Sequence, residues 1–326
     1  MRGMLHVDIS SPSDTTQALM GVLAEDPYVT SVSLATGVLD RPVGDAIAFD
    51  VPRESSQEVL DRIFATGVHR TGTVRVEPVQ TWASRAAFDA MIAAPGAGAD
   101  AIVWPEVAQR AYTDSELTWT YLAFMIMATL IAGIAIPLDS QILVIGAMVL
   151  GPEFGAIAAL GVGLVRRRRS LLRQAIRTLV IGFVVAIAVT TLAALAVRGL
   201  GWVDTADLQR ARPGTAFIYS PDRWSFIVAL IAGVAGVLSL TSAKTGGLAG
   251  VFISVTTIPA AANVALALAL GDWLEMRGSA TQLVLNITAM ALAGWATLAF
   301  QGTVVARSTR SAELRRRRPS DDPRRA

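Results

Sequence analysis

The sequence predicts an α-helical polytopic membrane protein of six transmembrane helices, built as two inverted three-helix repeats, with an N-terminal α+β domain of ferredoxin-like βαββαβ order. Three observations carry that expectation. The 326 residues are 53% hydrophobic and only 17% charged, whereas soluble chains are nearer one quarter charged. The charge is divided, with net −8 over residues 1–116 and net +10 over residues 117–326. The second part also carries apolar runs close to the roughly 20 residues that cross a bilayer as a helix.

The polar head, residues 1–80, alternates first. Leu5, Val7 and Ile9 interleave with His6, Asp8 and Ser10, the period of two expected of a strand with one buried face. Ser13 or Asp14 then caps a helix with Ala18, Leu19, Val22 and Leu23 on one side, ending near Asp26-Pro27. Tyr28, Thr30, Val32 and Leu34 alternate again. The unit repeats with Ile47, Phe49 and Val51 as strand, Val59, Leu60, Ile63 and Phe64 as helix face, and Val74, Val76 and Val79 as the last strand. No charged-then-apolar leader precedes it. A sheet of this order leaves a free face and edges, so self-association into a homo-oligomer is expected.

Residues 81–116 read as an amphipathic helical connector, with Trp82, Phe88, Met91 and Ile92 on one helix, a break at Pro95 to Gly98, and a second helix after Trp104-Pro105. Residues 117–302 hold the apolar segments 117–136, 140–164, 179–197, 224–240, 247–270 and 281–300. Arg166, Arg167, Arg168 and Arg169, with Arg173 and Arg177, separate the second segment from the third. Arg307, Arg310 and Arg315 to Arg318 follow the sixth. Basic residues mark the cytoplasmic side, so both termini and the Arg-rich loop are expected there. Arg198, Arg210, Arg212 and Arg223 fall on the outer side and run against the rule. The tail, residues 303–326, is polar, Arg-rich and expected to be disordered. Arg166 to Arg169 are read as a basic surface for the lipid bilayer.

Shifting the first three apolar segments by about 107 residues lays Pro152 on Pro259. Three spans per half make the halves run in opposite directions, and paired breaks in inverted repeats are a transporter pattern. A proline removes one backbone donor and frees a carbonyl that hydrocarbon cannot satisfy. It also suits the first turn of a helix, so Pro152 and Pro259 are expected to open half-helices whose positive ends face the midplane. A single such proline only kinks packed helices, with Gly151 and Gly155 allowing close approach; the pair reads as a site.

Glu153 is the one acid well inside an apolar segment, and a charge at that depth costs roughly 3 kcal/mol or more. It is the candidate for binding a small cation or carrying a proton, against the alternative of a carboxylate held by neighbouring helix amides. Thr256, Thr257 and Asn263, with Ser254 a turn earlier, flank the second break and offer hydroxyls and an amide. Lys244, the sole lysine, reads as a snorkelling surface residue, and Asp139-Ser140 as a helix cap. His6 and His69 are the only histidines and cysteine is absent. Intramembrane haem, zinc and Ser-His-Asp chemistry are therefore excluded, and no metal or cofactor is expected. No nucleophile–base pair appears either, so the chain is not expected to be an enzyme. The bases line spans and a tail, not a globular face, so no nucleic-acid partner is expected.

Asp139-Ser140, Ile145-Gly146-Ala147-Met148, Gly151-Pro152, and the stretch from Ile258 through Leu270 ending in Gly271-Asp272-Trp273 resemble the prokaryotic membrane family named domain of unknown function 389. The resemblance spans roughly residues 4–302. It implies a multispan bacterial inner-membrane protein with a head of this kind, and no substrate. Where many members carry a second proline soon after the first, this chain has Glu153-Phe154-Gly155-Ala156, so no role for Glu153 comes from the family. The expected function is a transporter or channel for a small ion or solute, the alternative a membrane-anchored ligand sensor or assembly factor.

Overall fold

The computed structural model describes residues 3–94, 101–202, 212, 214–215, 218, 223–241 and 257–317. They fall into two compact units, one built mainly on residues 1–106 and the other on residues 107–240 and 244–301.

In the first unit, β1 (Met4–Pro12), β2 (Thr30–Asp40), β3 (Val43–Pro52) and β4 (Thr73–Val79) form an antiparallel sheet of order β2-β3-β1-β4. α1 (Ser13–Ala24) joins β1 to β2, while α2 (Arg53–Ala65) and the single turn α3 (Val68–Thr71) join β3 to β4. The core follows from the alternation. Leu5 faces Val51, Val7 faces Phe49 and Ile9 faces Ile47 across β1 and β3. All six pack with Leu19, Leu23, Val59, Leu60 and Ile63 from the two helices.

Two local expectations change. Neither Ser13 nor Asp14 caps α1, because β1 runs straight to Pro12 and Ser13 is already helical. The hydroxyls of Thr15 and Thr16 donate to the Pro12 carbonyl. β2 is longer than its alternating stretch and is exposed from Ser31 to Val38. It pairs on one side only, with register shifts between Thr30 and Ser33 and between Ala35 and Leu39, and such irregularities blunt an open sheet edge. Asp45 anchors that edge by accepting from the Thr16 hydroxyl at 2.6 Å and from the Gly37 N–H at 2.8 Å. Those bonds hold its carboxyl below the usual range.

The polar side of the sheet places His6 opposite Asp50 of β3 and Glu77 of β4. His6 Nδ1 lies 2.7 Å from Asp50, and that hydrogen bond, helped by Asp8 and opposed by partial burial, raises the imidazole above its ordinary value of 6.5. His69 instead meets Phe64 edge-on, with ring centroids 5.5 Å apart. α4 (Arg85–Ala93), capped by Ser84, packs on β2 and β3. The segment leading into α5 (Trp104–Asp114) is tied down by a bond from the Trp104 N–H to Gln57 at 2.9 Å and a 2.8 Å ion pair between Arg53 and Glu106. The Pro95 to Gly98 break lies outside the described residues.

The second unit contains α6 (Trp119–Ala135), α7 (Gln141–Leu150), α8 (Glu153–Val165), α9 (Arg169–Gly199), α10 (Arg223–Thr241), α11 (Ile258–Leu270) and α12 (Trp273–Arg317), the last running on past its end. α9, α10 and α12 are each long and apolar enough to cross a membrane. The pairs α5–α6 and α7–α8 also qualify, bent by 66° and 57°. The chain is thus a mostly helical membrane protein with three to five candidate spanning elements. The six expected spans correspond to three unbroken helices, two bent pairs and the 13-residue α11. At 1.5 Å per residue α11 is about 20 Å long, short of the roughly 30 Å hydrocarbon core. Twelve of its residues are buried, and it packs against α6, α7 and α9. A helix apolar on all sides belongs inside.

Small residues set the approach distances. A Cβ on Gly155 would lie 2.5 Å from the Asp114 Cβ, and one on Gly161 would lie 3.2 Å from the Gly294 backbone of α12. Nothing lies within 4 Å of Gly146 in α7.

Two outcomes test this packing. Gly155→Ala should lower the thermal midpoint of the detergent-purified chain by the equivalent of about 1–3 kcal/mol of overpacking, while Gly146→Ala should match or exceed the parent, since alanine is the better helix former by about 1 kcal/mol. For His6, a raised folded-state pKa means its stabilisation is complete below 6.5 and is lost as pH climbs through that raised value. Amide exchange in β1, corrected for intrinsic rates, should therefore lose protection from pH 6.5 upward, and His6→Gln should abolish that dependence.

Candidate functional site

The first break forms as the backbone chemistry requires. Proline disfavours the helical region for the residue before it, and Gly151 is extended at φ −64° and ψ 119°. α7 therefore stops at Leu150, Pro152 caps α8, and Glu153 becomes its first residue. In the second half, Thr257 caps α11 and Pro259 lies in its first turn.

These helix starts meet. The Thr257 hydroxyl donates to Glu153 Oε1 at 2.6 Å across 104 residues of sequence. Both side chains are 0% exposed. Glu153 thus sits at the positive end of α8 with the cap of α11 against its carboxylate, the arrangement in which a helix terminus favours negative charge. The wall is completed by α6 and α9. Tyr121 of α6 lies within electrostatic reach of Glu153, and its ring packs so closely on Gly182 of α9 that a Cβ there would come within 2.8 Å. The buried Tyr121 hydroxyl has no hydrogen-bond partner among the described residues.

The other candidates are distributed as follows. Gly151 and Pro152 form the half-buried break, Gly155 is used for the contact with Asp114, and Pro259 is buried. Asn263 is buried but serves a second polar cluster, its amide donating to Ser279 at 2.8 Å and to Glu275 at 3.0 Å. Thr256, Ser254 and Lys244 lie outside the described residues. Arg166 to Arg169 are exposed, in and just after the turn between α8 and α9.

The second cluster escaped the sequence reading. Arg212, only 4% exposed, donates to Glu275 at 2.6 Å, and Glu275 also accepts from Asn263. Just after Arg212, the Gly214 N–H at 3.2 Å and the Thr215 hydroxyl at 2.9 Å donate to Asp139, while Ser140 alone performs the capping, accepting from Leu143. Arg198 donates to the Ala269 carbonyl at 2.8 Å, near the negative end of α11. Two of the arginines that run against the positive-inside pattern therefore have specific partners. Their departure from the expected pattern was the available signal, since a charged residue beside an apolar segment is retained where it has a partner. Among the described residues no group of three His, Asp or Glu is placed to hold a metal ion.

The Glu153 bond has a direct test. Thr257→Val should destabilise the detergent-purified chain by about 1–3 kcal/mol, the usual loss when a buried acceptor is deprived of its donor, and Thr257→Ser should restore the parent thermal midpoint.

Residues 148–292 match the family model described as domain of unknown function (DUF389). Comparison with curated proteins and with solved structures gave no match. The segment that matches the domain of unknown function 389 family contains both prolines, Glu153, Thr257 and the Arg212–Glu275–Asn263 cluster.

Proposed function

We propose that this chain is a transporter or channel for a small ion or solute, with Glu153 and Thr257 at the translocation site. The observation that carries this reading is the convergence of two helix starts, 104 residues apart, on one fully buried carboxylate. A buried acid in an apolar bundle is expensive and is retained where it binds or carries a charge. Its hydroxyl partner and the two positive helix ends supply what hydrocarbon cannot.

The finer architecture belongs to the same proposal. α8 and α11 are each 13 residues long, each opened by a proline, which supports six spans in two inverted repeats with broken second and fifth elements. The exposed Arg166 to Arg169 turn supports a cytoplasmic side for that loop and for both termini, in a bacterial inner membrane. The strand order β2-β3-β1-β4 with a helix in each crossover supports a ferredoxin-like head. The open β2 edge, with Val32, Leu34 and Val38 exposed, supports pairing with a second copy. The head then acts as regulator, and the chain is no enzyme.

A second reading has its own observation. Two hollows among the described residues, of about 510 and 450 Å³, lie along α9, and neither is lined by Glu153. A sealed carboxylate fits an occluded transporter, and it also fits a membrane-anchored sensor or assembly factor that conducts nothing. Proton, Na⁺ and K⁺ fluxes into vesicles reconstituted with the full chain separate the two. Transport predicts flux above empty vesicles for at least one ion, reduced about tenfold or more in Glu153→Gln, equivalent to losing one interaction of about 1.4 kcal/mol. Flux equal to empty vesicles, or unchanged in that variant, rejects transport through this site.

A further inference from the structure

The start of α9 carries two neighbouring stripes of side chains. Ser170, Gln174 and Thr178, spaced by four, bond to the end of α5 and the residues just after it, Thr178 buried, Gln174 half-buried and Ser170 exposed. The Ser170 hydroxyl lies 2.7 Å from the Tyr112 hydroxyl, Gln174 donates to the Tyr112 carbonyl at 2.8 Å, and Thr178 donates to the Ser115 carbonyl at 2.7 Å. These bonds lock the rotation of the helix on the elbow between α5 and α6. The residues one position earlier, Arg169, Arg173 and Arg177, are consequently turned outward and exposed. At 1.5 Å per residue they form a basic row about 12 Å long.

That row borders a shallow, open groove on the surface of α9 itself, whose floor is almost wholly apolar, chiefly Leu172, Ile176 and Val180. Ile176 and Val180 are 52% and 55% exposed. Basic groups lead at the N-terminal end and the apolar wall extends along the helix toward its membrane-spanning part. Among the described residues none of the three arginines has a carboxylate within salt-bridge distance. An acid, Glu116, lines a second hollow of about 450 Å³ together with Arg173, Arg177, Ser170, Gln174 and Thr178. Three outward cations with no carboxylate at salt-bridge distance among the described residues, beside an apolar shelf, complement a ligand that is anionic at one end and hydrocarbon at the other.

We propose that this groove is a docking site for one anionic phospholipid, its phosphate held by Arg169, Arg173 and Arg177 and an acyl chain laid along Leu172, Ile176 and Val180. Arginine suits the role because its planar fork of donors grips phosphate oxygens in pairs. The hydrogen bonds of Ser170, Gln174 and Thr178 fix the rotation of α9 and so hold the row outward before the lipid arrives. The site does not depend on the transport reading, since it uses none of the residues around Glu153.

The test uses the full chain, delipidated in neutral detergent, then titrated with dioleoyl phosphatidylglycerol or dioleoyl phosphatidylcholine and read by native mass spectrometry. One lipid should be retained with a clear preference for phosphatidylglycerol. Each Arg→Gln change among the three should weaken that retention roughly fivefold, the usual strength of one basic residue at an anionic membrane surface. Glu116→Gln should strengthen it. Ile176→Asn should weaken it with all three arginines present. Helix content by circular dichroism confirms that each variant is folded, and Arg173→Lys, which keeps the charge and shape of the stem, provides a mild companion to any variant that is not. Equal retention of the two lipids overturns the proposal, as does undiminished retention in the folded triple Arg→Gln variant. Full displacement of the lipid by millimolar inorganic phosphate, with no effect of Ile176→Asn, would also overturn it and assign the groove to free phosphate.

Discussion

A proline break inside an apolar bundle leaves backbone and side-chain polarity that lipid cannot satisfy, and the contact between Glu153 and Thr257 is how this molecule meets that constraint. The bond joins the first residue of α8 to the cap of α11. It explains why a 13-residue helix too short for a bilayer is retained: α11 is enclosed by α6, α7 and α9 and presents its N-terminus to a buried carboxylate. Gly155 and Gly182 permit the tight approach of Asp114 and of Tyr121, where a Cβ would not fit.

The far end of α11 is governed by similar accounting. Its last carbonyls are neighbours of Arg198, and Asn263 joins Glu275 and Arg212 in one buried network. Arg212 is thus paired with Glu275 and Arg198 with a carbonyl, whereas Arg169, Arg173 and Arg177 are outward with no carboxylate at salt-bridge distance among the described residues. This contrast separates two roles for arginine in one membrane domain. Those with carboxylate or carbonyl acceptors hold segments of the chain together, and the three at the start of α9 stand exposed on the helix surface.

Much of the head was legible because its elements obey short periods. Leu5, Val7, Ile9, Ile47, Phe49 and Val51 all became core, as a period of two demands. β2 was misjudged in its extent and burial, since an alternating pattern does not tell whether a strand stands at the edge of a sheet. The capping of α1 was misjudged because β1 extends into Pro12, a pairing decided by β3 and not by local preference. In the membrane domain, Gly151-Pro152 was readable as a break because proline acts through its own ring. The Arg212–Glu275 contact was not, because 63 residues separate the partners.

The sequence alone determined the charge division, the apolar helices, the two proline breaks and Glu153 as a costly buried acid, since each depends on residue chemistry within one or two helical turns. Only the tertiary structure decided that Thr257 meets Glu153, that Asn263 serves another cluster, and that Arg169, Arg173 and Arg177 face outward together. Those outcomes depend on which helices pack and at what rotation. Packing is a sum of many weak, distant contacts that no local pattern records.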